Sequence, residues 1–356
     1  MFRNNIIDLM RGVAIVLVVY THLIQGMYGV INKNFFSDKI VTFAYSFHMP
    51  LFAVISGYLF YKSFMRNNRS VLFSRILKIL HPLIVFSIIY WLFQELLYAL
   101  NVKKLSLHYD TFQESFCGPF LWFLWALLYI TFISAIAMSF AKYCTDNEWK
   151  QFTVFILISI LFCFILDLLP NGQYALFLYP HFIVGIYLDR ISSKIKWNST
   201  LIYISISIMY LLLLCFWTND KYIYISGASL IKSKYSWYYQ LYIDSYRTIT
   251  GMIGSFLVFL LVQKFKGLIG DIFTKIGSKT LEIYTIQCFL VSLFFPIIYS
   301  RFYYLYLNKF SCFSNIFFID SILAPLFFCI SMAGIGIIIK TTDHFRILRK
   351  ILWRKE

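Results

Sequence analysis

The chain reads as an all-α, polytopic integral membrane protein of about ten transmembrane helices, with both termini in the cytoplasm. Three observations predict this. Its 356 residues are 60% hydrophobic and only 13% charged, with a mean hydropathy of +0.72, whereas a soluble domain carries about 25% charged residues. Apolar runs of about twenty residues, enough to cross a bilayer as a helix, recur from end to end. With the N-terminus inside, about 21 lysines and arginines fall on the cytoplasmic side and about 10 outside, as the positive-inside rule requires.

The expected spans are 5–28, 40–62, 76–100, 118–141, 152–170, 174–189, 199–217, 245–263, 277–299 and 316–339. The gaps between them are too short for a second folded domain. Residues 1–340 therefore read as one transmembrane domain and 341–356 as a basic cytoplasmic tail. The first span is too long for the apolar core of a signal peptide. It also holds Arg11 and His22, and no A-x-A-like site follows it, so it is read as retained. The second span opens with SFHMPLFAVISGYLF, which sets His48 and Pro50 near its outer end. The third begins RILKILHP, with Arg75 and Lys78 on one helix face. The sixth is short. Ala53/Gly57 and Gly251/Ser255 are small-xxx-small pairs that suit close helix packing.

The first span carries the most informative pattern. Arg11 and His22 are eleven residues apart, about 1100° around a helix and only about 20° past three turns. They share a face and lie about 16 Å apart along the axis. Asp8 and Gln25 fall near the same stripe, with Ala14, Ile15 and Val18 between. Ionisable groups inside a membrane-length helix cost several kcal/mol unless they face protein or water, so this stripe is the first candidate for chemistry. His48 is expected at the depth of His22 on an adjacent helix, as either its partner or a hydrogen-bonded packing residue. His181, in LYPHFIVG, reads more readily as packing.

The net charge of +16 raises the question of nucleic acid, but its distribution follows membrane topology and anionic head groups. Arg75 and Lys78 suit either phosphate oxygens of a ligand or lipid phosphates. The loop at 218–244 is rich in aromatics, including Trp237, and fits an interfacial belt or a sugar-stacking surface. Glu282, beside Tyr284 and Gln287, either positions a ligand or pairs with Lys279. Seven scattered cysteines without C-x-x-C imply no metal site. Cys117 and Cys312 fall on the same predicted side, where a disulfide is conceivable but not expected. The chain lacks a phosphate-binding G-x-x-x-x-G-K-[ST] loop, a zinc-enzyme motif and a G-x-S-x-G elbow.

Several of these segments together resemble the acyltransferase 3 family of membrane O-acyltransferases, in its branch near fucose 4-O-acetylases. IIDLMRGVAIVLVVYTH resembles the family's opening motif, including the Arg-x10-His spacing, and FHMPLFAVISGYLF its second. SRILKILHP, PFLWFLWALL and IGSKTLEIYTIQ are similar to three later ones. This chain has Lys78 where the family usually has a second arginine, and Gln287 where a histidine is common. The resemblance implies a multi-pass protein of the bacterial cytoplasmic (inner) membrane. It implies transfer of an acyl group, usually acetyl from acetyl-CoA, to a hydroxyl of a cell-surface polysaccharide or its lipid-linked precursor. On that reading His22 is the base, Arg11 anchors the donor or stabilises charge, and Asp8 orients Arg11. His48 assists, while Arg75 and Lys78 meet the CoA phosphates. Ser56, Tyr58, Glu282 and Trp237 are candidates for contacting substrate. The expected partners are acyl-CoA, a glycan or lipid-linked sugar and membrane lipid, with neither nucleic acid nor metal. The rival from another class is a glycan exporter or flippase without chemistry. A glycan polymerase is disfavoured by the short outer loops.

Overall fold

The computed structural model describes residues 2–65, 69–99, 113, 116, 118–192, 200–307, 309 and 315–354. Among these residues regular structure is helical throughout, without a strand. Eight helical segments are long and apolar enough to cross a membrane: Asn5–Val30, Lys39–Met65, Phe73–Ala99, Trp122–Cys144, Glu148–Leu166, Trp237–Val262, Thr280–Tyr306 and Ile316–His344. They coincide with eight of the ten expected spans. The expected sixth and seventh correspond to Gly172–Ser192, with Pro180 inside it, and to the sixteen-residue Thr200–Cys215. The Cys117–Cys312 arrangement falls outside the described residues.

We number the helices α1 (Phe2–Val30), α2 (Lys39–Tyr45), α3 (His48–Met65), α4 (Arg69–Ala99), α5 (Trp122–Cys144), α6 (Glu148–Leu166), α7 (Gly172–Ser192) and α8 (Thr200–Cys215). There follow α9 (Ile223–Ser226), α10 (Trp237–Val262), α11 (Gly267–Ser278), α12 (Thr280–Phe289), α13 (Phe295–Phe302), α14 (Ala324–His344) and α15 (Arg346–Trp353). The chain forms two compact units. One comprises residues 1–48, 85–115 and 256–356; the other comprises 49–84 and 116–255.

In the first unit α1 is the central strut. Glycines let it approach α11 backbone to backbone: a methyl group at Gly12 would land on the Phe273 carbonyl, and one at Gly277 on the Asp8 carbonyl. α12 runs into α13 through a π turn, Leu290–Phe294, and a second π turn, Ile319–Leu323, leads into α14. Extra-residue turns of this kind often sit at functional positions. Asp38 caps α2 by accepting from the Val41 amide at 2.8 Å, as expected of an aspartate at a helix start. Residues 341–356 include α15, whose Trp353 is 1% exposed and donates its indole N–H to Thr285 Oγ1 at 3.0 Å.

In the second unit α3 and α7 cross with reciprocal glycines. Gly57 faces the Phe182 carbonyl and Gly185 the Val54 carbonyl. A methyl group at Gly251 of α10 would meet His181 Nε2 and Pro50. Both small-xxx-small pairs therefore contain a glycine at a close crossing. α10 begins at Trp237, eight residues before the expected start. Gln240, Asp244 and Arg247 depress the hydropathy there, yet their polar groups are paired within the protein, so the helix continues through them.

Gly277→Ala should destabilise the protein by about 1–3 kcal/mol, because a methyl group forced onto a carbonyl must push two helices apart. Gly334, with nothing within 4 Å of an added Cβ, should accept alanine without loss. Thermal unfolding of both variants in detergent checks this; equal melting temperatures would contradict the close crossing.

Candidate functional site

The stripe predicted on α1 exists as drawn. Ala14, Ile15 and Val18 are buried at 0–2% exposure, and the polar ends of the stripe each find partners in the first unit. At one end Arg11 Nη1 donates to Asp8 Oδ1 at 3.3 Å. Their side chains are 31% and 26% exposed. The spacing of three residues on one helix brings the pair together, and the Gly277 contact fixes the backbone from which Asp8 projects. Gln25 remains exposed, with Tyr45 donating to its Oε1 at 3.4 Å.

At the other end the partly buried His22 meets α12 and the π turn that follows it. His22 Nδ1 lies 2.9 Å from Gln287 Oε1 and 3.2 Å from Ser292 Oγ. Gln287 is fully buried, and its Nε2 donates to Cys288 Sγ at 3.1 Å. An amide oxygen only accepts, so Nδ1 carries the imidazole proton and Nε2 keeps its lone pair. A ring held in this way presents a base nitrogen in a fixed direction. Gln287 thus sets the tautomer of His22. His48 is 3% exposed. Its ring contacts the Ala44 carbonyl at 2.5 Å through Nδ1, packs edge-on to Tyr45 and lies within electrostatic reach of His22.

Glu282, 2% exposed, sits 3.8 Å from Lys279, and Lys279 also reaches Asp343 at 2.8 Å. This is the lysine pairing that the sequence left open. In the second unit Arg75 Nη2 donates to the Ser56 carbonyl at 2.9 Å, so the basic end of α4 is tied to α3. Lys78 is exposed. Tyr58 is buried, with the Lys62 ammonium 4.5 Å from its ring centroid. Trp237, at the start of α10, is 69% exposed. No group of three or more metal-ligating side chains occurs among the described residues.

Two polar clusters were not singled out from the sequence. In the first unit the Tyr28 hydroxyl lies 3.1 Å from Asp38 Oδ2 and from both oxygens of Asp320, while Tyr20 donates to the Asp320 carbonyl at 2.9 Å. In the second unit Arg247, 2% exposed, forms a close ion pair with Asp244. Both were detectable in principle, since Asp320 and Arg247 are ionisable residues inside apolar segments. Outside the spans, Asp220 is held down to about 2: partial burial raises it, but hydrogen bonds from Thr218, Lys221 and Tyr239 outweigh that.

These features define a multi-pass, all-helical membrane protein with an oriented imidazole and a separate arginine–aspartate pair on one helix. The chain belongs to the acyltransferase family: the model described as "Acyltransferase domain" matches residues 4–341. It is 26% identical over 240 residues to nodulation protein NolL of Sinorhizobium fredii, covering 62% of this chain and 60% of that protein. It is 28% identical over 132 residues to NolL of Mesorhizobium japonicum, covering 37% and 35%. The matched segments thus span about three fifths and one third of those relatives. No solved structure matches.

The oriented imidazole yields a direct expectation. In nitrogen-15 spectra of protein labelled at histidine, His22 should show a protonated Nδ1 and an unprotonated Nε2 at neutral pH. Gln287→Leu should abolish that preference. A protonated Nε2 in the unaltered protein would refute the assignment.

Proposed function

We propose that the protein is a membrane O-acyltransferase. It moves an acyl group, acetyl in the first instance, from acyl-CoA to a hydroxyl of a cell-surface polysaccharide or its lipid-linked precursor, in the cytoplasmic membrane of a bacterium. The observation that carries the reading is the His22 ring, whose Nδ1 is engaged by Gln287 Oε1 at 2.9 Å so that Nε2 is the basic nitrogen. A hydroxyl is a poor nucleophile at neutral pH and needs such a base. His22 Nε2 takes the hydroxyl proton as the oxygen bonds to the thioester carbonyl carbon. The carbon–sulfur bond then breaks, and the imidazolium returns the proton to the departing thiolate. The products are the ester and the free thiol, with no net proton change. His48 contributes a second imidazole within electrostatic reach.

Arg11 lies three turns from His22, about 16 Å along α1, too far to share one oxyanion with it. Its role is therefore to anchor the donor, with Asp8 setting the direction of the guanidinium. Arg75 and Lys78 are assigned to the CoA phosphates, since a guanidinium fork and an ammonium on one face match several negative charges. Ser56 and Tyr58 in the second unit and Glu282 in the first are each read as contacting substrate. Trp237, far more exposed than the buried rings, suits the membrane interface rather than substrate stacking. The family match over residues 4–341 and the lysine and arginine asymmetry support a single transfer domain with cytoplasmic termini.

His22→Ala should insert and fold normally but transfer acyl groups at least about 100-fold more slowly, the usual contribution of a positioned base. Mass spectrometry of the surface glycan at matched protein levels tests this; near-normal acetylation would remove His22 from the mechanism. Replacing Arg75 and Lys78 together with glutamine should weaken acetyl-CoA binding at least tenfold, read by calorimetric titration. Unchanged donor affinity, with only lower yield of inserted protein, would make them lipid anchors instead.

A further inference from the structure

We propose that the second unit carries a subsite for an uncharged pyranose ring, built around the turn at Tyr224–Gly227. The proposal rests on the transferase reading, for which it supplies the acceptor-binding residues. Two groups of side chains converge on this turn from opposite sides. On one side Trp122, Tyr174 and Tyr224 pack as a trio. Their ring centroids are 4.6 Å apart for Trp122–Tyr174, 5.9 Å for Tyr174–Tyr224 and 6.1 Å for Trp122–Tyr224. Trp122 and Tyr174 are each 7% exposed, whereas Tyr224 is 39% exposed. One accessible ring is therefore backed by two immobile ones. That differs from an interfacial belt, whose members are largely exposed as Trp237 and Tyr238 are, at 69% and 66%.

On the other side, Arg247 reaches the same turn from inside α10. Its Nη1 donates to Ser226 Oγ at 3.2 Å and its Nη2 to the Gly227 carbonyl at 2.5 Å. The guanidinium carbon lies 5.2 Å from the Phe177 ring centroid, one turn along α7 from Tyr174. Gly227 adopts φ +71°, which turns its carbonyl toward both Arg247 and Gln240, whose Nε2 donates to it at 3.3 Å. A neutral amide thus already tethers the turn. Burying a guanidinium for the same purpose would cost several kcal/mol without need. Moreover, Arg247 Nε is buried with no hydrogen-bond partner, a donor left unused at this turn. Asp244 receives both Gln240 and Arg247 on Oδ1 and remains partly exposed at 23%, leaving Oδ2 to accept from a hydroxyl.

A sugar ring has an apolar C–H face and an edge of hydroxyls. Stacking on Tyr224 serves the first; the Asp244 carboxylate and the guanidinium serve the second. Charge selects among ligands. Arg247 is neutralised by Asp244, so the subsite offers no net positive charge to a polyphosphate, and an uncharged ring fits it better than the CoA moiety does.

The test uses the purified full-length protein, with methyl α-L-fucopyranoside and methyl α-D-glucopyranoside as probes and tryptophan fluorescence as readout. At least one glycoside should perturb the fluorescence saturably. Tyr224→Ala and Asp244→Asn should each weaken that binding about tenfold, while Tyr224→Phe, which keeps the ring, should stay within about twofold. Acetyl-CoA affinity should be unchanged in all three, and the melting temperature in the two Tyr224 variants; Asp244→Asn, which unpairs the buried Arg247, should lower it. Absence of glycoside binding in the unaltered protein would overturn the proposal. So would equal binding in the Ala and Asn variants, or glycoside and acetyl-CoA affinities that fall together. Glycoside binding with these variant effects but no acyl transfer would instead defeat the transferase reading and leave the subsite standing. Transfer with a KM for glycoside indifferent to Tyr224 and Asp244 would do the reverse.

Discussion

The contact on which the polar stripe of α1 in the first unit depends is the crossing of α1 and α11. Two helices normally pack 8–10 Å apart because side chains separate them. Here glycines on both partners remove that spacer, and backbone meets backbone at Gly12–Phe273 and Gly277–Asp8. In a bilayer, where lipid tails are as apolar as leucine, close van der Waals contact of this kind is a main source of helix association. The crossing falls within a few residues of Arg11. Whatever displaces α11 therefore moves the Asp8–Arg11 pair first, and His22 three turns further along the same rigid rod.

Much of this organisation was legible in the sequence. The eleven-residue interval between Arg11 and His22 specified a shared helix face, because α-helical geometry leaves little freedom over three turns. Asp8 was placed against Arg11 by the same arithmetic. The long apolar runs were located to within a few residues wherever both ends met loops. The start of α10 was missed because hydropathy averages over a window. Gln240, Asp244 and Arg247 look like loop residues until their mutual pairing is known, and that pairing is tertiary. Likewise nothing local in the sequence brings Asp320 to Tyr28, almost three hundred residues away, or Ser292 to His22.

The His22–Gln287 contact holds the imidazole through an uncharged group. A histidine in place of Gln287 would bring a second titratable ring to His22. The glutamine instead brings an acceptor oxygen that does not titrate, and it sets the tautomer of the neutral His22 ring. Cys288, next in sequence, orients that amide by accepting from its nitrogen. The His22 ring is thus governed by two adjacent residues of one helix, both buried.

Ser292 reaches His22 from inside the π turn at Leu290–Phe294. Such a turn is an α-helix carrying one surplus residue. Excising one residue there would restore ordinary winding and swing everything beyond it by about 100°. The aromatic contacts of Phe295 and Tyr299 with Phe327 would then face the wrong way. The surplus residue therefore sets the rotational phase of all that follows it, and its loss would require the rest of the helix to be rebuilt.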